Sequence, residues 1–89
     1  MIDSLKMDTL IVGDDIATME LYDLSNIPCM DNAPYRIRVI NPATEYQYYL
    51  ACYSNKDFAL EDYNDLLQLA KKGIKFWDEK YWHLLNNTL

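Results

Sequence analysis

Three carboxylates recur at every fourth position of the chain, at Asp57, Glu61 and Asp65. Residues at i, i+4 and i+8 share one side of an α-helix, and each step of four residues advances about 6 Å along the helix axis. That interval is similar to the spacing of phosphates along a nucleic-acid strand. The pattern therefore predicts a ridge of negative charge that occupies a basic groove in place of a nucleic acid. The alternative is a solvated helix face whose acids favour the dipole at its N-terminal end.

Acidic residues are also concentrated at the start of the chain. Residues 1–34 hold seven acids against Lys6 alone, and the whole chain has a formal net charge of −6. Such a protein attracts basic partners, and we expect no direct nucleic-acid binding, because phosphate contacts require a basic patch. The acids expected to extend the helical ridge, if the fold brings them near it, are Asp14, Asp15, Glu20 and Asp23.

A second candidate surface lies in residues 35–54, which contain both arginines and five of the eight tyrosines. Arginine and tyrosine are enriched at interface hot spots, because they bury a large area and keep their hydrogen bonds. Strand alternation is expected to place one group of side chains together on a face of the sheet: Arg36, Arg38, Gln47, Tyr49 and Tyr53. The alternatives are that helices cover this face or that it is only hydrated.

Residue types that support enzyme chemistry are few. His83 is the only histidine, and no serine, cysteine or acid stands at a spacing that specifies a general base or a metal site with it. Cys29 and Cys52 lack the close pairing of a zinc knuckle or a redox motif, so we expect two reduced thiols, with a disulfide as the alternative. We therefore expect a protein that is not an enzyme and that has no catalytic residue, cofactor or metal.

The alternation of apolar and polar residues predicts the strands that carry these side chains. On either side of Gly13 and Asp14, a dipeptide typical of two-residue turns, the pattern predicts a hairpin with strands at 8–12 and 15–22. Residues 25–34 contain two prolines with aspartate and asparagine between them, which indicates a loop.

A second hairpin is predicted over residues 35–53, with its turn at the sequence NPAT, where the proline sets the φ angle of a type I turn. Pairing Ile40 with Glu45 across this turn places Arg36 opposite Tyr49, outside the core. The tyrosines expected to face the core in this register are Tyr35, Tyr46 and Tyr48.

Helix signals follow the second hairpin. Ser54 and Asp57 form a capping-box pattern, which predicts a helix over 55–72. At Gly73 two principles compete: apolar residues continue at helical spacing beyond the glycine, yet a glycine after two lysines is typical of a Schellman stop. A pair of short strands after the glycine is a third option. We predict a break at Gly73 and a second helical segment over 77–86.

Together these elements predict a single α+β domain over residues 1–89. Its sheet is expected to contain antiparallel hairpins at 8–22 and 35–53, packed by the helix at 55–72 and the second segment at 77–86. The N-terminus lacks a signal-peptide pattern, and no apolar run is long enough to span a bilayer. We therefore expect a protein of the host-cell cytoplasm that binds no membrane, while the oligomeric state is left open.

In type, a small acidic α+β chain without enzyme motifs is similar to the inhibitors that phages and mobile elements use against host nucleases, including anti-CRISPR and anti-restriction proteins. The leading hypothesis is a stoichiometric inhibitor that binds a basic, nucleic-acid-handling protein through its acidic surface. The alternative is an immunity or antitoxin-like protein that neutralises a basic toxin. The sequence does not separate the two, since both require only an acidic patch that faces a basic cleft.

Overall fold

The structure, a computed structural model, describes residues 3–24 and 33–85. Its antiparallel strands form one four-stranded sheet, in which they follow the order of the sequence. The elements are β1 (Asp3–Val12), β2 (Asp15–Asp23), β3 (Tyr35–Ile40), β4 (Gln47–Tyr53), helix α1 (Lys56–Lys71), a 3-10 turn (Glu79–Tyr81) and the short helix α2 (Trp82–Leu85). The predicted α+β fold, a sheet packed by a helix, is confirmed.

Alternation along the strands buries one face of the sheet against α1. The sheet contributes Leu10, Val12, Ala17, Met19, Leu21, Ile37 and Val39 to the core. The buried residues of α1 recur at helical spacing, at Ala59, Tyr63, Leu66 and Ala70. The small side chains of the two alanines let the helix backbone approach the sheet.

Tyr63 carries a hydroxyl into this core. The hydroxyl donates to Oδ2 of Asp8 at 2.6 Å and to the main-chain oxygen of Met19 at 3.1 Å. Burial, followed by the bond to Asp8, raises the pKa of Tyr63 well above its ordinary value. The polar atom is therefore satisfied, and it ties α1 to both β1 and β2.

The first hairpin is confirmed, with its turn at the predicted residues. Gly13 has a φ of 65°, a left-handed conformation that glycine adopts at little cost. β1 begins earlier than predicted, at Asp3. The register shifts between Ser4 and Lys6, which interrupts the alternation on which the prediction depended.

The second hairpin forms, but its predicted register is wrong. Arg36 pairs with Cys52 rather than with Tyr49, a displacement of three residues. An odd displacement turns every side chain of a strand to the opposite face of the sheet. From Tyr49 onwards, the side chains of β4 therefore have the opposite orientation to the one expected from the sequence.

The turn explains the displacement. The backbone N–H of Glu45 donates to the carbonyl of Asn41 at 2.7 Å, and the N–H of Asn41 donates to the carbonyl of Tyr46 at 2.8 Å. Glu45 has a φ of 62°, a left-handed conformation that is uncommon for residues other than glycine. A shift of register between Val39 and Ile40 adds to the displacement. The connection is thus longer than the predicted turn.

The new register changes the positions of the tyrosines. Tyr49 and Tyr53 pack against the core, not on the surface beside the arginines. Tyr46, which was expected in the core, is 63% exposed. Tyr35 and Tyr48 pack against the core as expected.

α1 begins one residue later than predicted. Its N-cap is Asn55, whose side-chain oxygen accepts the backbone N–H of Phe58 at 2.9 Å, so the predicted cap at Ser54 is wrong. Serine and asparagine have similar preferences for this position, and the sequence offers both side by side. The rings of Tyr53 and Phe58 lie together at this end of the helix, with centroids 5.8 Å apart.

α1 stops before Gly73, as predicted. The N–H of Gly73 donates to the carbonyl of Ala70, and the N–H of Ile74 donates to the carbonyl of Leu69, each at 3.0 Å. These are the two bonds of a Schellman motif. Gly73 has the left-handed φ of 83° that the motif requires.

Gly73→Ala is expected to lower the free energy of unfolding by about 1 to 2 kcal/mol, because a Cβ is strained in the left-handed region. An added Cβ meets no atom within 4 Å, so backbone strain alone decides the result. Thermal unfolding followed by circular dichroism measures the effect. Gly73→Asn is the control, since asparagine tolerates this conformation better than alanine. A higher melting temperature for the alanine variant would contradict a left-handed stop.

The segment after α1 returns to the sheet through aromatic contacts. Phe76 is fully buried, and its ring centroid lies 5.2 Å from that of Tyr49 and 4.9 Å from that of Trp77. Trp77 stacks on Tyr48, with 5.5 Å between centroids. This segment therefore covers part of the core that α1 leaves open.

Helical structure resumes only at Glu79. The second helical segment, predicted over 77–86, is a 3-10 turn followed by one turn of α-helix up to Leu85. Residue 86 and residues 25–32 of the predicted loop lie outside the described residues. Within the described ranges, no helix is both long and apolar enough to cross a membrane.

Candidate functional site

The three carboxylates at helical spacing lie on the exposed side of α1. Asp57, Glu61 and Asp65 are all exposed to solvent. The salt bridges among the described residues involve other acids, so these three carboxylates have no cationic partner there. We call the three residues the acidic ridge. The structure thus places them together, as the sequence predicts.

An open depression of about 650 Å³ lies beside the N-terminal half of the acidic ridge. Asp57 and Glu61 line it, together with the ring of Phe58, which is 48% exposed. A lysine or arginine side chain suits this place, because its aliphatic stem packs on the ring while its charged end meets the carboxylates. The other lining residues are Cys52, Tyr53, Ser54 and Asn55.

Tyr53, expected on a partner-binding face, instead connects β4 to α1. Its hydroxyl donates to Oδ2 of Asp62, and burial followed by this bond raises the pKa of Tyr53 well above its ordinary value. Burial also raises the pKa of Tyr49, whose ring packs edge-on against Phe76. Both tyrosines therefore hold together the layers that support the acidic ridge.

The acids of the first turn lie at the other end of α1. Asp15 forms a salt bridge of 2.5 Å with Lys75, beyond the C-terminal end of the helix, and this bond raises the pKa of Lys75. Asp14 is exposed in the same turn. A helix of 16 residues spans about 24 Å. The turn and Asp57 are thus separated by most of the length of the helix, and the predicted extension of the ridge to this turn is wrong.

Glu20 does not extend the acidic ridge either. Glu20 is 5% exposed and lies on the face of the sheet that points away from α1. Its Oε1 accepts hydrogen bonds from Nε of Arg38 at 3.0 Å and from Nη2 at 2.7 Å, and its Oε2 accepts one from the hydroxyl of Tyr22. The bond to Glu20 raises the pKa of Tyr22. Asp23 is half-buried at the end of β2 and is engaged in an interaction of its own, and its place in the ridge stays a prediction.

The face of the sheet opposite α1 carries exposed apolar side chains that sequence reasoning missed. Ile11 is 73% exposed and pairs with Ile16 across the first hairpin. Alternation and cross-strand pairing place Met7 and Leu50, also exposed, on the same side. We call this surface the open sheet face. The salt bridge of Glu20 lies among these apolar residues.

The predicted position of Arg36 opposite Tyr49 is wrong, and Arg36 lies over Tyr22 instead. The guanidinium carbon of Arg36 is 5.5 Å from the centroid of the Tyr22 ring, and that of Arg38 is 5.8 Å from it. A surface of arginine and tyrosine therefore exists, but its tyrosine comes from β2. This role of Tyr22 could have been predicted from alternation along β2, because alternation places Tyr22 on the same side of the strand as Glu20.

The residues considered for catalysis or metal binding are His83 and the two cysteines. His83 is exposed in α2, and no group of three or more potential ligands within the described residues is arranged to hold a metal ion. Cys52 is disulfide-bonded, which corrects the expectation of reduced thiols. Cys29, the other cysteine of the sequence, lies outside the described residues.

No protein-family model, curated protein or solved structure matches the chain. The acidic ridge and the open sheet face are therefore the features of the molecule that bear on its function.

Proposed function

We propose that the protein is a small inhibitor without enzymatic activity that binds a basic, nucleic-acid-handling protein through the acidic ridge. The proposal includes a mode of action of the anti-CRISPR or anti-restriction type, in which the ridge takes the place of a nucleic-acid backbone in the partner's groove. The observation that carries it is the exposed row of Asp57, Glu61 and Asp65, which has no cationic partner among the described residues.

The unpaired ridge has an energetic reason to bind cations. Like charges at i and i+4 destabilise a helix by about 0.2 to 0.5 kcal/mol per pair. Lysines or arginines of a partner replace this repulsion with attraction. Complementary charges mainly accelerate the encounter of two proteins. Binding should therefore be fast at low salt and should weaken as the Debye length falls from about 10 Å at 0.1 M to about 3 Å at 1 M.

The depression beside the ridge supplies a more specific contact. A basic side chain that enters it packs against Phe58 and reaches Asp57 and Glu61, which line the same space. α1 is held in place by its buried face and by the bond between Tyr53 and Asp62. The ridge is thus presented on a rigid element, and little conformational entropy is lost when it binds.

The proposal is tested by capturing proteins on the immobilised chain, identifying them by mass spectrometry and measuring the affinity of the purified partner. The neutral variant Asp57→Asn, Glu61→Gln, Asp65→Asn should bind about tenfold more weakly, since three exposed ion pairs contribute about 0.2 to 1 kcal/mol each. The variant with lysine at all three positions should not inhibit. DNA or RNA bound by the partner should compete with the unaltered protein.

Asp14→Asn is the matched control, because it removes an exposed carboxylate at the opposite end of α1. This variant should keep the full affinity. Circular dichroism confirms that each variant folds. The proposal fails if the neutral triple variant inhibits as strongly as the unaltered protein.

A further inference from the structure

On the open sheet face, a pair of charged residues lies between exposed apolar residues. Cross-strand pairing aligns one row across all strands of the sheet: Met7, Glu20, Arg38 and Leu50. Because the members of such a row point to the same side, the salt bridge of Glu20 with Arg38 has an exposed apolar side chain at either end. Ile11 and Ile16 form another exposed apolar pair nearer the first turn.

The charge on this face is not balanced. Glu20 accepts bonds from Arg38 through one oxygen and from Tyr22 through the other, so both of its oxygens are occupied. Arg36 has no ion pair within the described part of the chain, and its Nε atom is buried without a hydrogen-bond partner. Arg36 as a whole is half-buried, so a carboxylate from another protein would meet the exposed part of its side chain rather than the buried Nε atom.

We propose that the open sheet face binds an amphipathic helix of another protein. Its apolar side chains cover Met7, Ile16 and Leu50, and a carboxylate among them pairs with Arg36. A sheet with apolar residues on both faces can be covered by a helical layer on each, and α1 covers one face. Charge complementarity selects an acidic helix, because the unbalanced charge on the face is that of Arg36.

A second copy of this chain fits the face less well than an acidic helix. A two-fold axis pairs this face with the same face of the other copy, whose described residues likewise offer no unpaired carboxylate to Arg36. The proposal does not rest on the acidic ridge, which lies on the exposed side of α1, away from this face. An acidic helix on the sheet and a basic partner on the ridge are therefore separate interactions.

A displayed library of helical peptides, selected on the immobilised full-length protein, tests the chemistry of the face. A chain with a net charge of −6 attracts basic peptides through its overall field. We expect a further enriched class, with apolar residues at helical spacing and a glutamate or aspartate among them. This class should disappear when the selection is repeated on Arg36→Gln.

A synthetic peptide of the acidic class gives the quantitative test. Replacing its carboxylate with an amide should weaken binding to the unaltered protein about tenfold or more, and should change nothing for Arg36→Gln. Leu50→Ser should weaken both peptides alike and provides a second test should Arg36→Gln fail to fold. Trp82→Ser, which removes an exposed aromatic ring of α2 outside the open sheet face, should leave the affinity for both peptides unchanged.

Several outcomes would overturn the proposal. One is enrichment of basic peptides alone, and another is an acidic peptide that binds Arg36→Gln as tightly as the unaltered protein. A dimer in sedimentation that Leu50→Ser dissociates would show that a second copy occupies the face. Nuclear Overhauser contacts between residues 25–32 and Arg36 in the free protein would show that the chain itself covers the open sheet face.

Discussion

Replacing Phe76 with alanine is expected to lower the free energy of unfolding by about 3 to 5 kcal/mol, the range for truncation of buried aromatic residues. Phe76 is fully buried, and its ring meets those of Tyr49 and Trp77 edge-on. It anchors the segment beyond Gly73 to the core. Its loss therefore leaves a cavity and also loosens that segment. In a domain of this size, each kcal/mol shifts the melting temperature by roughly 4 to 8 °C.

Phe58→Ala is the matched control, because it makes the same chemical change at a ring that is 48% exposed. Its cost should stay within about 0.5 kcal/mol, as for most surface substitutions. Urea titrations of the two variants against the unaltered protein measure both effects. Similar losses at the two positions would show that Phe76 does not belong to the core.

Glu20→Ala is expected to lower the free energy of unfolding by about 3 kcal/mol, the lower end of the range for breaking a buried ion pair. The lower end applies because the side chain of Arg38 keeps some contact with solvent. The carboxylate of Glu20 accepts hydrogen bonds from both Arg38 and Tyr22. Without it, neither Arg38 nor Arg36 has a carboxylate partner in the described part of the chain.

The double variant Glu20→Leu, Arg38→Met should recover most of this loss, because it removes both charges rather than one. Asp65→Ala serves as the control, since it removes an exposed acid with no ion pair in the described part of the chain. Chemical denaturation provides the measurement for all three variants. A cost for Glu20→Ala no greater than that for Asp65→Ala would mean that the pair does not stabilise the sheet.

Features that depend on local signals could be predicted from the sequence. The turn at Gly13 and the stop at Gly73 each require a left-handed φ that glycine readily supplies, and both lie where predicted. The acidic ridge follows from spacing alone, since positions four residues apart share one side of any helix. The part of the candidate site that was predicted most accurately is therefore the part that lies on a single helix.

The register of the second hairpin could not be predicted, because it depends on an unusual backbone angle. Glu45 adopts a left-handed φ that its residue type does not favour. The longer turn pairs Ile40 with Gln47 rather than Glu45, a displacement of two residues, and the shift of register between Val39 and Ile40 makes it three. This odd displacement is why Tyr49 and Tyr53 were expected on the wrong side. The turn and the shift of register together determine which tyrosines reach the surface.

The open sheet face could not be assembled from local patterns, because it requires β2 to pair with β3 across the connection between them. That pairing sets Tyr22 opposite Arg36 and Glu20 opposite Arg38. From the sequence, Glu20 was one acid among several in an acidic segment. In the fold it is the counter-ion of an arginine, and its charge is not free to attract a partner.

The order of the strands has a consequence for the kinetics of folding. Each strand pairs only with the strands that precede and follow it in the sequence, so every pairing within the sheet joins consecutive strands. Such topologies have a low relative contact order, which is associated with rapid folding. The bond from Tyr63 to Asp8 joins residues 55 positions apart and can form only once α1 docks. On the ribosome, the sheet could therefore be complete before α1 is synthesised, and the helix would then dock on a surface that is already formed.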